Sequence, residues 1–371
     1  MEIIQEIKSA YRKYKHHVYR DNTFPLLREQ LAEFEASADF EEKLKTIAQF
    51  VQDATITNTP IESWLNEIDF WLFPKSIKPT LPASETFLSN LTISENIEVT
   101  KNFALINAPV ELHILCVLWI MEGGFSLEKE MKKKPFGNRL ELNEKQDRLL
   151  GGFALFKPYY KLYQNWRDKA FEKAIQLVED EKNVLILSLD VKDYYPSVQV
   201  DFDKIKEVVN KHQKDTQEEQ KFNFLTDVLQ KVHDKFQEKI QQKNIRETYG
   251  LPIGLLSSSV IANWYLNEFD KKIDEIVNPV YYGRYVDDIL MVISNPKMPS
   301  TDEISKEISK ETTEKCKETI QDKKAQFIKR EVFKWYFERC ENEIIKYDES
   351  NGSYEILLVT RCSSFLKTEH F

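Results

Sequence analysis

Val280-Tyr281-Tyr282-Gly283-Arg284-Tyr285-Val286-Asp287-Asp288-Ile289-Leu290-Met291-Val292-Ile293 sets two runs of β-branched, aromatic and aliphatic residues around a polar centre. Residues of these types favour a pleated, half-buried surface, so the runs predict two strands with the adjacent acids at or near the hairpin turn between them. Upstream, Val184-Leu-Ile-Leu-Ser-Leu189 is a nearly continuous apolar run of strand length, suited to a central strand that delivers Asp190 at its end. A strand end beside a hairpin tip can bring Asp190 and Asp287 together.

An isolated Asp-Asp is ordinarily a solvated turn. Clustered with a third acid, the carboxylates repel one another unless a cation lies between them, and hard oxygen ligands favour Mg²⁺, or Mn²⁺ in its stead, over zinc. Two such ions about 3.5–4 Å apart activate an attacking 3′-hydroxyl and stabilise a leaving pyrophosphate in an in-line displacement. The pattern reads as a two-metal nucleotidyl-transfer site.

Three stretches then carry a family resemblance. Leu187-Ser-Leu-Asp190-Val-Lys-Asp193-Tyr-Tyr195-Pro-Ser197 resembles motif A of reverse transcriptases, residues 250–263 beginning Gly250-Leu-Pro252-Ile-Gly254 resemble motif B, and Tyr285-Val-Asp287-Asp288 resembles motif C, in the family's own order. The resemblance implies an α+β fold: a right-hand polymerase palm, an antiparallel sheet packed on helices, with fingers. It implies Asp190 and Asp287 as principal metal ligands with the backbone carbonyl of Val191, Asp288 as supporting acid, and two Mg²⁺ ions. It further implies deoxynucleoside triphosphates and an RNA or DNA strand as partners. Tyr195 matches the steric gate that packs on the incoming sugar and rejects a 2′-hydroxyl, and Asp193 matches the residue whose amide touches the triphosphate. Half-buried aromatics beyond a strand end are the plainer account of Tyr194 and Tyr195.

In motif B, Gly250 and Gly254 allow close backbone approach to a template base and nucleotide, and Pro252 stiffens the turn before a helix that begins near Ser257. Ile253 stands where retroviral, intron and retron enzymes usually carry Gln. Asn263 and Trp264 fall on that helix, where packing is their expected work.

Upstream, Phe156-Lys157-Pro-Tyr-Tyr160 and Tyr163-Gln-Asn-Trp166-Arg167, continued by Ala170, Phe171, Ala174, Ile175 and Val178, read as a loop entering an amphipathic helix at the fingers position. Lys157 and Arg167 are candidates for binding triphosphate or template phosphate, with solvated basic residues the alternative. This segment, Ile253 and a long N-terminal helical extension are similar to bacterial abortive-infection and defence-associated reverse transcriptases. Some members of that branch polymerise without a template or start from a protein hydroxyl. The runner-up is a retron or group II intron type of mobile element. A further alternative is a polymerase fold retained as a nucleic-acid-binding module.

The organisation expected is a mostly helical extension over residues 1–125 with a Ser/Thr-rich break between Pro74 and Glu98, a fingers segment over 126–180, and the palm over 181–371. A charged helical insertion is expected from Asp201 to Thr248. Glu343 to Val359 reads as a hairpin about Asn351-Gly352, and within it Lys346 is a candidate for the family's motif D general acid. Little sequence is left for a helical thumb, so the thumb is short or absent, or supplied by another copy or a partner chain. A net charge of −9 is unexpected for a nucleic-acid binder, but a cleft needs only local positive potential. Tyr11 to Arg20, where aromatics interleave with bases, and Lys132-Lys133-Lys134 are candidates for it. Cys116, Cys316, Cys340 and Cys362 lack zinc-ligand spacing and fit a reducing cytoplasm. The most apolar stretch, about Ile114 to Met121, is short for a bilayer span, so no membrane association is expected.

Overall fold

The computed structural model describes residues 3–20, 25–54, 59–78, 98–131, 135–145, 148–213, 215–246, 250–296, 345–348, 353–358 and 362–367. In chain order the helices before the first motif are α1 (Ile3–Arg20), α2 (Pro25–Ala36), α3 (Phe40–Asp53), α4 (Thr59–Asn66), α5 (Val110–Trp119), α6 (Phe125–Glu130) and α7 (Tyr159–Glu179), with strands β1 (Asp69–Lys78) and β2 (Glu98–Asn107) between α4 and α5. Next come β3 (Val184–Lys192), α8 (Tyr194–Ser197), α9 (Phe202–Asn210), α10 (Thr216–Gln242), α11 (Leu256–Tyr265) and α12 (Asn267–Ile276). Strands β4 (Tyr281–Tyr285), β5 (Asp288–Ser294), β6 (Ile345–Asp348), β7 (Ser353–Leu358) and β8 (Cys362–Lys367) follow.

Two compact units result, each assembled from separated stretches. The first comprises Met1–Leu127, Glu141–Leu155 and Val200–Ile261; the second comprises Glu128–Leu140, Phe156–Gln199 and Ala262–Phe371.

In the first unit, every residue of α5 but Glu111 is buried, and α1, α2, α3 and α10 pack around it. A π-turn, Ile120–Gly124, joins α5 to α6, so the apolar helix runs from Val110 to Glu130. It is longer than the sequence reading gave, and long and apolar enough to cross a bilayer. Yet 78% of its most apolar window lies inside the protein, which makes it a core helix. Gly123 in the π-turn is required by contact, because a Cβ there would stand 2.1 Å from the Phe222 ring.

The insertion between the first two motifs is helical as expected. Its α9 and α10 are capped by Asp201 and Asp215, whose carboxylates accept from the Lys204 amide and from the Gln217 and Glu218 amides. Its charge conceals a core stripe of Phe222, Leu225, Val228, Leu229, Val232 and Phe236. The extension is mostly helical as expected, and it also holds β1 and β2, which pair antiparallel from Asp69↔Asn107 to Lys78↔Glu98.

The second unit is built on a sheet of strand order β4-β5-β3-β8-β7-β6, in which each neighbouring pair runs antiparallel. This is the palm. Helix α7 lies across β3, β4 and β5. Its buried face is Trp166, Ala170, Ala174 and Leu177, packed with Leu290, Val292, Val184 and Ile186. The apolar residues Phe171, Ile175 and Val178, expected to share that face, are instead exposed. The sequence expectations at residues 132–134 and 351–352 lie outside the described residues.

His113 on α5 is fully buried, stacked on Tyr14 of α1 at 4.9 Å between ring centroids, and neither ring nitrogen has a hydrogen-bond partner. Burial pushes its pKa down to about 4 from 6.5. The unfolded chain therefore takes up this proton first. The stability contributed by neutral His113 is complete above about pH 6.5, declines as pH falls towards 4, and then levels, at roughly 1.4 kcal/mol per pH unit within the window. Urea unfolding at about pH 7 and about pH 5 should show a smaller loss of stability for His113→Phe than for wild type, by about 2 kcal/mol. Equal losses would contradict this account of the burial.

Candidate active site

The site begins with strand register. β3 and β5 pair so that Asp190 lies opposite Asp288, and β4 and β5 pair so that Tyr285 lies opposite Asp288. Side chains alternate along a strand, so Asp288 shares the face of Leu290 and Val292, and Asp190 that of Val184 and Ile186. Directly opposed residues on one face have Cβ atoms about 4.5–5.5 Å apart. Asp190 and Asp288 are thus delivered together on the face that α7 covers further along. Asp287 occupies the connecting turn, where its carbonyl accepts from the Val191 amide at 3.3 Å, tying the end of motif A to the tip of motif C. Asp190 and Asp287 are half-buried and Asp288 is exposed.

Among the described residues, no three His, Cys, Asp or Glu side chains are gathered into a finished cation cage. The donors nevertheless suit Mg²⁺, which keeps several waters and is commonly held by one or two carboxylates together with substrate phosphates. Asp190 and Asp287, with Asp288 beside them, are the residues that would hold it.

The turn itself is strained. It has two central residues, and of these only the first, Val286, has a positive φ, at 61°. That pattern suits glycine at the first position, and a β-branched residue there is an outlier.

The residue that sequence reading passed over is Arg284. It is fully buried, and its Nε and Nη2 donate to Asp270 at 2.9 and 2.8 Å. Nη1 donates to the Val286 carbonyl at 2.7 Å and to Asn263 Oδ1 at 3.2 Å, and Nη2 also donates to the Asn263 carbonyl at 2.8 Å. Burial disfavours its charge, but Asp270 and the Tyr282 hydroxyl beside it carry its pKa above the usual value. Asn263, expected only to pack, is a polar link: its Nδ2 donates to the Gly137 carbonyl at 2.9 Å. A buried cation beside a strand tip is a signal that could have been noticed, but its partner Asp270 lies fourteen residues away.

Beyond β3, Tyr194 is buried and donates to the Ala262 carbonyl at 2.5 Å. Burial pushes its pKa well above the ordinary tyrosine value, with Arg284 opposing. Tyr195 is half-buried, its ring edge-on to Tyr194. Asp193 adopts a left-handed φ of 50° and accepts through its carbonyl from the Ser197 amide and hydroxyl. Lys157 sits just before α7, its amide bonded to the Arg139 carbonyl at 2.8 Å. Arg167 is exposed and paired with its neighbour Asp168.

Gly250, Pro252 and Gly254 belong to the first unit, where the Ile253 carbonyl accepts from the Ile106 amide of β2 at 2.9 Å. Lys346 is on β6, the far edge of the sheet, paired with Glu355 and three strands from β3. At ordinary strand spacing that is about 14 Å from Asp190's strand.

Gly254 has φ 104°, and a Cβ there would stand 2.7 Å from Leu105 Cδ1. Gly254→Ala should therefore free the loop from β2 and lower stability by more than about 1 kcal/mol. Hydrogen exchange at the Ile106 amide is the readout: faster exchange is expected, and unchanged protection would contradict the contact.

Residues 155–338 match the family described as reverse transcriptase (RNA-dependent DNA polymerase), a span that holds all three motifs. No curated protein matches the chain.

Proposed function

The chain carries a reverse transcriptase domain in residues 155–338 and is an RNA-directed DNA polymerase, a nucleotidyltransferase; from that premise we propose that it joins deoxynucleotides to a 3′-hydroxyl at Asp190, Asp287 and Asp288 in bacterial antiphage defence of the abortive-infection type. The observation that carries the catalytic part is the cross-strand pairing of Asp190 with Asp288, with Asp287 bonded through its carbonyl to Val191. Asp190, Asp287 and Asp288 would hold the divalent ions, two Mg²⁺ in this reading, and these would supply neutralisation of the charge that develops during the transfer. The chain's own residues orient the reactants: Asp190 and Asp287 fix the centre, and Tyr195 limits the space beside the sugar. The O3′–Pα bond forms as the bond to pyrophosphate breaks, and the hydroxyl proton passes to solvent.

The nucleic-acid strand and the triphosphate are held in part by the first turns of α7. Tyr159, Tyr160 and Tyr163 are exposed there, and from Lys157 to Lys169 four basic side chains stand against one acid, Asp168, although the chain as a whole is acidic. Exposed aromatics among bases suit stacking on single-stranded nucleic acid. Tyr163 lies 5.3 Å, centroid to centroid, from Tyr285, next to the catalytic turn. Lys157 and Arg167 are the phosphate-binding candidates in this patch.

Three features support the defence branch: Ile253 in place of Gln, the segment from Phe156 to Arg167, and the helical assembly of α1 to α5. In this reading the enzyme is cytoplasmic, and synthesis is untemplated or begins on a protein hydroxyl.

Purified protein should incorporate labelled deoxynucleotides with Mg²⁺, and Asp287→Asn should reduce the rate by about 10³-fold or more. Product from the variant at the wild-type rate would refute the catalytic assignment. Covalent attachment of product to protein without template would support the defence branch, whereas strict dependence on a primed RNA would overturn it. Tyr195→Ala should raise ribonucleotide use relative to deoxynucleotide use by roughly 10-fold or more in competition assays. An unchanged ratio would remove Tyr195 from sugar selection.

A further inference from the structure

We propose that Arg284 is a positioning residue: its guanidinium holds the strained Val286 turn in the one conformation that sets Asp287 beside Asp190. The inference rests on the polymerase reading above and adds a residue to it.

A guanidinium has five N–H donors in a rigid fork, and here all five are used: one on Nε and one on Nη2 for Asp270, one on Nη1 for Asn263 Oδ1, one on Nη2 for the Asn263 carbonyl, and one on Nη1 for the Val286 carbonyl. Charge balance with Asp270 needs only the first two. The remaining three reach the end of α11 and the catalytic turn. A lysine could neutralise Asp270 but has no planar fork to span these groups.

The turn needs such a hold, because Val286 takes φ 61° with a β-branched side chain. Its other side is also confined. The Phe136 amide donates to the Arg284 carbonyl, and a Cβ on Gly137 would stand 2.7 Å from Val286 Cγ2. Asn263 links the two sides, binding the Gly137 carbonyl with Nδ2 and Arg284 with Oδ1. The residue next to Val286 is Asp287, whose carbonyl bonds to Val191, the residue after Asp190. A shift of Val286 is therefore passed to the spacing of the two acids. Arg284 itself lies on the opposite sheet face from Asp288, so it acts through the backbone and touches no substrate.

The test compares wild type with Arg284→Lys, Asn263→Ala and Arg284→Lys/Val286→Gly. Mn²⁺ affinity of the free protein, read by electron paramagnetic resonance, is measured beside kcat, KM for deoxynucleotide and Tm. Arg284→Lys should weaken Mn²⁺ binding and lower kcat, each by about 10–100-fold, with KM changed less than about threefold. Asn263→Ala should shift both in the same direction by less. Glycine accepts the turn conformation without strain, so the double variant should regain part of the Mn²⁺ affinity and kcat even where Tm stays low. Wild-type Mn²⁺ affinity and kcat in a folded Arg284→Lys would reduce the residue to a structural ion pair and overturn the proposal. Should Arg284→Lys not fold, Asn263→Ala decides: unchanged affinity and kcat overturn the proposal. A wild-type protein that binds Mn²⁺ but makes no DNA would count against the polymerase reading, and the affinity series would still judge this one.

Discussion

Two like-charged carboxylates, Asp190 and Asp288, stand opposite each other across β3 and β5, and this register is the constraint on which the site depends. Left alone, the acids would push the strands apart or out of register. Hydrophobic burial holds them in place. Val184, Ile186, Leu290 and Val292 pack beneath Trp166, Ala170, Ala174 and Leu177 of α7. A slip of one residue would turn that apolar set to the other face and carry the acids with it. The aliphatic half of each strand thus fixes the chemistry at its end.

The opposite face of the same sheet does a second task with polar groups. Arg284 and Tyr282 project there and meet Asp270, a pair and hydroxyl sealed from water. Removing one partner of such a pair leaves an uncompensated buried charge, at a cost of about 3–5 kcal/mol. Its contacts with Asn263 and Val286 make the same arrangement a brace for the hairpin tip. One face of the palm thus sets register by apolar packing, and the other fixes the turn by hydrogen bonds.

Much of this centre was legible in the chain. The hairpin around Asp287 and Asp288, the strand that carries Asp190, which runs on to Lys192, and the helix after Pro158 all declare themselves through local residue pattern. What escaped was long-range or masked by composition. β1 and β2 pair across a Ser/Thr-rich stretch, so neither strand signals its partner. The charged surface of α10 hides Phe222, Leu225 and Phe236. On α7 the spacing of Phe171, Ile175 and Val178 is as helical as that of Trp166, Ala170 and Ala174, and periodicity alone does not say which stripe meets the sheet. Nothing in the residues beside Arg284 points to Asp270, and only the fold brings the two together.

The central claim is that Asp190 and Asp287 together hold the divalent ions of a nucleotidyl transferase. Anomalous scattering from crystals of the protein grown with Mn²⁺ and a deoxynucleoside triphosphate tests it most directly. The account predicts Mn²⁺ peaks within coordination distance of both Asp190 and Asp287, at about 2.0–2.2 Å from carboxylate oxygen, and their loss in Asp287→Asn. Peaks elsewhere, or triphosphate bound with no ion at these acids, would contradict it.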